Sequence, residues 1–374
     1  MLLAVATFGV GFAMRPIGAA VLGSLADRRG RKVALSVTIL MMAVGTAMIG
    51  LAPTHAVAGA WAPAIIVLAR LIQGFSAGGE FGAATAFLLE HAPPDRRGFY
   101  ASWQQAGQAG ALLVGSVSGV VLTGALSPAA LESWGWRVPF LLGVLIGPIG
   151  FYIRARTDEP AEFRRADRRR SRLTLAVGSH WRGIAAGFGI TITWTVCTYF
   201  FLVYMPTYAV REHGIAQRDS FLANGACLLV LLVLVPVFGA YSDRIGRRTL
   251  LLGSVTVIIV LTMPSFAWLA DNPSFGSLLA LQLCFAVVFA AFTGVAPAAM
   301  AEVCPAEVMS TSMSIAYSLA VAIFDGFAPF IATWLIAQTG DKLSPTWYVT
   351  ASCVLSGLMI FALYRNELVR RATT

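Results

Sequence analysis

Apolar residues run along this chain in long unbroken stretches, with no period-2 alternation and no narrow one-sided stripe. Up to residue 156 they fill stretches near 1–24, 33–52, 60–90, 98–124 and 137–156; later ones fill 181–210, 218–241, 249–269, 275–301, 309–338 and 343–366. Each reaches the roughly 20 residues that carry an α-helix across a bilayer. Polar positions collect in short connections rich in Pro, Gly and Arg, so the pattern predicts an all-α integral membrane protein with five spans followed by six. One longer polar stretch divides the chain into a bundle over 1–156, a basic loop over 157–180 and a bundle over 181–374. The opening MLLAVATFGVGFAM has neither the charged start nor the cleavage pattern of a signal peptide, and reads as a span.

The two bundles share a motif. RPIGAAVLGSLADRRGRK (15–32) and FGAYSDRIGRR (238–248) both contain G-x-x-x-D-R-x-G-R-[KR]. Asp243 follows Asp27 by 243 − 27 = 216 positions, and the same offset carries Gly23 to Gly239 and Gly78 to Gly294. The halves are therefore expected to be structural repeats. The motif follows the second span of the later half but the first span of the earlier one. A twelfth span, about 35 residues upstream of Met1, is thus expected, with the sequence beginning at an internal Met or being a fragment. Gly23 and Gly239 would let backbones approach, Asp27 and Asp243 would cap or pair near helix ends, and Arg28, Gly30, Arg31, Arg244, Gly246 and Arg247 would hold the loops at the headgroups. Together they would form gating loops.

Composition agrees with the pattern. The chain is 57% hydrophobic and 12% charged, with a mean hydropathy of +0.75, more apolar surface than a water-soluble fold can hide. The net charge of +9 suggests a nucleic-acid ligand until its placement is considered. The basic residues gather in alternate loops, the positive-inside signature, so the partner is the bilayer and no nucleic acid is expected. The central loop and the C-terminus are then cytoplasmic. Five cysteines without close pairs read as small packing residues, and no metal or cofactor site is expected.

Ionisable groups at membrane depth are costly and mark function. Arg15 lies eight residues before Gly23, roughly 12 Å inside its helix. Arg70, Gln73, Ala77 and Glu80 fall within an arc of about 80° on one helix face that should line a cavity. Glu90 and Glu302 suit helix-end latches. All four histidines are expected in loops or at helix ends, which leaves protonation to carboxylates. Hydroxyls and amides at Thr191, Thr195, Thr198, Tyr199, Gln104 and Gln108, with Trp103, are candidate substrate contacts, although threonines on apolar helices equally serve packing.

The paired loops resemble the signature loop of the major facilitator superfamily. RLIQGFSAGGEFG (70–82), RRGFYASWQ (96–104), WGWRVPF (134–140) and RTDEPAEF (156–163) resemble its metabolite:proton symporter family across essentially the whole chain. The resemblance implies two six-helix halves, alternating access, and proton-coupled uptake across a bacterial inner membrane, with the proton gradient as driving force and no cofactor. It gives Arg70 a role in proton coupling and makes Glu80 a partner of the Arg70 region or the proton carrier. Two departures stand out. Met309 replaces an Arg, which should weaken a latch, and Asp325-Gly326 replaces a Gly-Gly pair, making Asp325 either a proton or cation site or a damaging variant. Residues 301–336 and 198–209 look most similar to citrate and tricarballylate carriers, so a di- or tricarboxylate is expected, bound with the help of Arg15 and Arg70 by a monomeric carrier. Shikimate, 2-oxoglutarate, proline or betaine stay open as substrates, as do drug efflux and an inactive truncated product. No span holds the residues of a membrane enzyme.

Overall fold

The computed structural model describes residues 2–156, 180–326 and 328–364. The expected central loop up to residue 179 and the C-terminal arginines from Arg365 to Arg371 lie outside the described residues. Every regular element among the described residues is helical, as apolar surroundings require of a chain that must satisfy its own backbone polar groups.

The first part of the chain forms α1 (Leu2–Arg29), α2 (Arg31–Gly50), α3 (Trp61–Glu90), α4 (Arg97–Ala125), α5 (Val138–Val144) and α6 (Ile146–Ala155). The second forms α7 (Trp181–Cys197), α8 (Met205–His213), α9 (Gln217–Ile245), α10 (Arg247–Asp271), α11 (Phe275–Thr293), α12 (Ala296–Glu302), α13 (Met309–Ala320), α14 (Ala328–Thr339) and α15 (Pro345–Met359). All eleven predicted stretches are helical, and nine described runs are long and apolar enough to cross a membrane. Three of these runs contain a π-helical segment: Thr198–Tyr204 between α7 and α8, Val321–Asp325 after α13, and Ile360–Tyr364 after α15. Hydropathy is blind to these insertions, which cluster at functional sites.

Glycine fixes the breaks between the long helices of each repeated motif. Gly30 (φ 109°) separates α1 from α2 and Gly246 (φ 87°) separates α9 from α10, a backbone region closed to residues with a Cβ. Helix α11 starts with a capping box: the Ser277 amide donates to Ser274 Oγ at 3.2 Å, and the Ser274 amide donates to Ser277 Oγ at 3.1 Å.

The residues group into two compact units. One comprises Met1–His91, Val121–Ile184 and Cys304–Ala322; the other comprises Ala92–Val120, Ala185–Val303 and Ile323–Thr374. In the first, α1 and α3 touch backbone to backbone. A Cβ on Gly74 would strike the Gly11 carbonyl, and one on Gly78 the Arg15 carbonyl. Lipid supplies no hydrophobic force between helices, so such small-residue contacts provide the adhesion. Gly78→Ala is expected to push α1 off α3, with a loss of about 1–3 kcal/mol seen as a lower melting midpoint of the purified protein. The second unit is built around stacked rings. Phe201 lies on Phe285 with centroids 3.3 Å apart, and Phe200 packs on Phe266 at 5.4 Å.

The internal repeat is less uniform than a single offset. At α1–α2 and α9–α10 the 216-position offset holds. A Cβ on Gly294 would meet the Val235 carbonyl and the Gly239 amide nitrogen, whereas one on Gly78 would meet the Arg15 carbonyl and the Ala19 amide nitrogen. Adding 216 carries Arg15 and Ala19 to 231 and 235, one helical turn short of where Gly294 touches. The 216 offset thus joins Gly78 to Gly294 with contacts that differ by one turn, and an offset of 212 takes up that turn. The same 212 joins Glu90 to Glu302 and Pro93 to Pro305. One turn of helix separates the two halves in this region.

Candidate functional site

In the first unit, Arg70 Nη1 donates to Gln73 Oε1 at 3.2 Å, and Gln73 Nε2 donates to Thr46 Oγ1 at 3.0 Å. Gly45 makes room, since a Cβ there would lie 2.7 Å from Gln73 Cγ. The guanidinium is held by an amide, its charge not neutralised by that contact. Arg15 is half-buried, with its guanidinium 4.3 Å from the centre of the Phe12 ring, a cation–π contact that suits a cation away from water. Glu80 is half-buried on α3. It stands ten residues beyond Arg70, about 15 Å along the axis. The two share a helix face at different depths.

The signature loops are built alike. Asp27, 2% exposed, accepts hydrogen bonds from the Ser310 amide (3.3 Å), the Thr311 amide (2.9 Å) and Thr311 Oγ1 (2.6 Å). It thereby caps the start of α13, where unpaired N–H groups and the helix dipole favour a carboxylate. Arg31 lies 3.7 Å from Asp27 and 2.6 Å from Glu90. In the second unit Asp243 accepts from the Gly98 amide (2.8 Å) and the Phe99 amide (3.2 Å) at the start of α4. Arg247 binds Asp243 at 3.0 Å and also pairs with Glu302, to which the Tyr364 hydroxyl donates.

The motif spacing now has a cause. Gly23 and Gly239 sit one turn before the aspartates, where a Cβ would press on Thr311 Cα at 3.0 Å or Ser102 Cβ at 2.5 Å. Glycine brings the helices together so that the carboxylate can reach the next helix start. Arg31 and Arg247 are the arginines seen paired with the latch carboxylates, and Arg28 and Arg244 are exposed. Met309 opens the helix that Asp27 caps. The hydrogen bonds go to the two following amides and to the Thr311 hydroxyl, and use no side chain at position 309.

The second unit gathers neutral polar groups. A small cavity is lined by Gln105, Gln108, Thr198, Leu202, Phe289 and Thr293, among others. Of the expected contacts, Gln108 and Thr198 meet here. Gln104 accepts from Gln105 Nε2 at 2.5 Å, while Tyr199 is half-buried in the π segment. Thr191 bonds back to the Gly187 carbonyl at 2.8 Å, the structural alternative for such a residue. Thr195 is buried and its hydroxyl has no partner. Trp103 does not join the group. It is half-exposed, with its ring edge-on to Phe99, and its position on α4 is opposite the face carrying Gln105 and Leu112. Asp325 is buried at the end of its π segment, within electrostatic reach of Tyr348, whose hydroxyl donates to the Phe324 carbonyl at 2.7 Å.

Two residues that the sequence did not single out stand out here. Gln282, 1% exposed, has neither Oε1 nor Nε2 paired. Asn224, 3% exposed, donates through Nδ2 to the Leu202 carbonyl at 3.2 Å, and its Oδ1 is unpaired. The 212 offset of the E-x-x-P segments was the available signal, since Arg70 plus 212 is Gln282. Buried unpaired amides destabilise a fold by about 1–3 kcal/mol. Gln282→Leu is therefore expected to raise the melting midpoint while lowering transport, the trade-off of a functional group.

The histidines all lie at element ends: His55 opens a short helix, His91 follows α3, His180 precedes α7 and His213 closes α8. Cys197, Cys227, Cys304 and Cys353 are buried and Cys284 is exposed. Among the described residues no cluster of His, Cys, Asp or Glu could hold a metal.

The family profile described as "Sugar (and other) transporter" matches residues 1–171, and that described as "Major Facilitator Superfamily" matches residues 211–373. A citrate-proton symporter of Klebsiella pneumoniae is 38% identical, covering 100% of this chain and 84% of that protein. One of Salmonella typhi is 40% identical, covering 99% and 86%. The solved structure of the proton:xylose symporter XylE with 6-bromo-6-deoxy-D-glucose superposes with a TM-score of 0.77 at 19% identity, over 96% of this chain and 85% of that one. At that identity the likeness concerns the fold alone.

Proposed function

This chain belongs to the major facilitator superfamily, and we propose that it is a symporter coupling proton entry to the uptake of a small di- or tricarboxylic acid, with citrate the leading candidate. It is a membrane transporter of that superfamily and not an enzyme. The observation that carries the substrate reading is the end-to-end identity of 38% and 40% to two citrate-proton symporters.

The geometry supports the reading. Arg70, hydrogen-bonded to an amide, and Arg15, resting on a ring, are cations within membrane-spanning helices, which suits recognition of an anion. Glu80 and Asp325 are the carboxyls at depth that can take up and release protons. The Arg-rich loops face the cytoplasm by the positive-inside rule, so the Asp27 and Asp243 latches close that side. Alternating access between two six-helix halves then requires both latches to break in every cycle.

The test is uptake of radiolabelled citrate by bacterial cells making the chain, with and without a protonophore. Accumulation that collapses with the proton gradient is expected. Absence of citrate uptake, with the protein present in the membrane, would move the assignment to 2-oxoglutarate, shikimate or betaine.

A further inference from the structure

Gln282 and Asn224 lie at one level of the second unit. Helix α10 reverses the chain between α9 and α11, so those two run the same way. Their contact at Val235 and Gly294 fixes the register: Asn224 lies 235 − 224 = 11 residues before one, and Gln282 lies 294 − 282 = 12 before the other. The π segment Thr198–Tyr204 confirms it. Phe201 stacks on Phe285, one turn from Gln282, while the neighbouring Leu202 carbonyl holds Asn224. Leu202 also lines the cavity that Gln105, Gln108, Thr198 and Thr293 share. All these polar groups are uncharged.

A free primary amide has a definite complement. It presents one acceptor and two donors, whereas an ionised carboxylate presents acceptors only. A carboxylate beside Gln282 would leave Oε1 facing another acceptor. A protonated carboxyl offers an O–H and a C=O, so it can make two antiparallel hydrogen bonds with one amide. Asn224 Oδ1 adds a second acceptor for a hydroxyl at the same level. Gln282 is also the repeat counterpart of Arg70, so where the first half offers a cation the second offers a neutral donor–acceptor pair.

We propose that Gln282, assisted by Asn224, binds one carboxyl arm of the substrate in its protonated form, so that one transported proton crosses on the substrate itself. This rests on the symport reading. No bond to carbon changes: the proton enters on the carboxyl oxygen and leaves when the acid ionises in the cytoplasm. Charged neighbours on the packed elements stand at their ends. Arg218 and Asp219 open α9, Asp271 closes α10, and Arg211 and Glu212 close α8. The phenols of Tyr199, Tyr204 and Tyr208, the His213 ring beside Tyr208, and the Cys227 and Cys284 thiols also belong to these elements, with Asp243, Arg244, Arg247 and Arg248 at the other ends of α9 and α10.

The experiment is citrate exchange in proteoliposomes at equal pH on both sides, which removes the driving force and isolates recognition. With the natural chain, the half-saturating total citrate is expected to rise about tenfold per pH unit above the relevant ionisation of citrate. Citrate monoamide, whose neutral arm keeps donor and acceptor but does not ionise, should inhibit equally at every pH. Gln282→Leu should weaken that inhibition about tenfold, or about 1.4 kcal/mol, and flatten the pH profile; Gln282→Asn, which keeps the amide, should retain the profile. A pH-independent half-saturation in the natural chain, or equal inhibition of Gln282→Leu, would overturn the proposal and leave symport standing. Exchange of no organic acid at all would overturn both.

Discussion

Proteoliposomes carrying Arg70→Gln are expected to lose concentrative uptake by about two orders of magnitude, the scale of about 3 kcal/mol for a charge-assisted interaction in a low-dielectric site. Glutamine keeps a hydrogen-bond donor for Gln73 but not the charge or the reach. The Gln73–Thr46 bond should therefore survive and the protein should still reach the membrane. Comparing gradient-driven uptake with exchange at zero gradient separates the possibilities. Loss of both means that Arg70 binds the anion, and loss of the first alone means that it serves coupling. Normal gradient-driven uptake by the variant would remove Arg70 from the mechanism.

Asp27→Ala carries the other large expected effect. The change strands two backbone amides and a hydroxyl at the start of α13 and removes one carboxylate from Arg31, which keeps Glu90. Breaking a buried, hydrogen-bonded charge pair costs about 3–5 kcal/mol, so transport should fall at least tenfold. A cysteine placed at Thr311 should react faster with a water-soluble thiol reagent. Asp243→Ala should cost less. The Arg31 and Glu90 side chains are only 4% and 5% exposed, whereas those of Arg247 and Glu302 are 14% and 32% exposed, so water can replace part of the second latch. Equal losses in the two variants would show that exposure does not set latch strength.

Much of this was legible in the sequence, for a simple reason. A bilayer imposes long apolar helices, and each predicted stretch is helical. The doubled motif was visible because glycine and aspartate are needed at fixed positions by local backbone geometry. What those aspartates bind was not visible. Their partners lie 283 and 284 positions away for Asp27, and 145 and 144 for Asp243. Helical periodicity placed Arg70, Gln73 and Glu80 on one face; Arg70 and Gln73 touch, while Glu80 lies at another depth of the same helix. Trp103, Gln104 and Gln108 share one sequence run, but Trp103 faces away from the side of α4 that carries Gln105 and Leu112. Gln282 was hidden by the one-turn slip between the halves, which the 216 offset passes over.

The π segments carry a consequence of a different kind. Each residue of an α-helix advances the chain by about 100° around its axis, and a π turn holds one residue more than an α turn. Removing a single residue from Thr198–Tyr204 would leave every hydropathy profile unchanged and the span long enough for the membrane. The surplus residue is held within the π turn, so its removal would let that turn relax to α-helix and leave α8 close to its present azimuth, with the Tyr208 hydroxyl still facing the Lys342 carbonyl that it meets at 2.8 Å. The segment is thus one residue of slack in the span: a single-codon deletion in the regular helix on either side would turn everything that follows by about 100°, while the same deletion inside the π turn is absorbed.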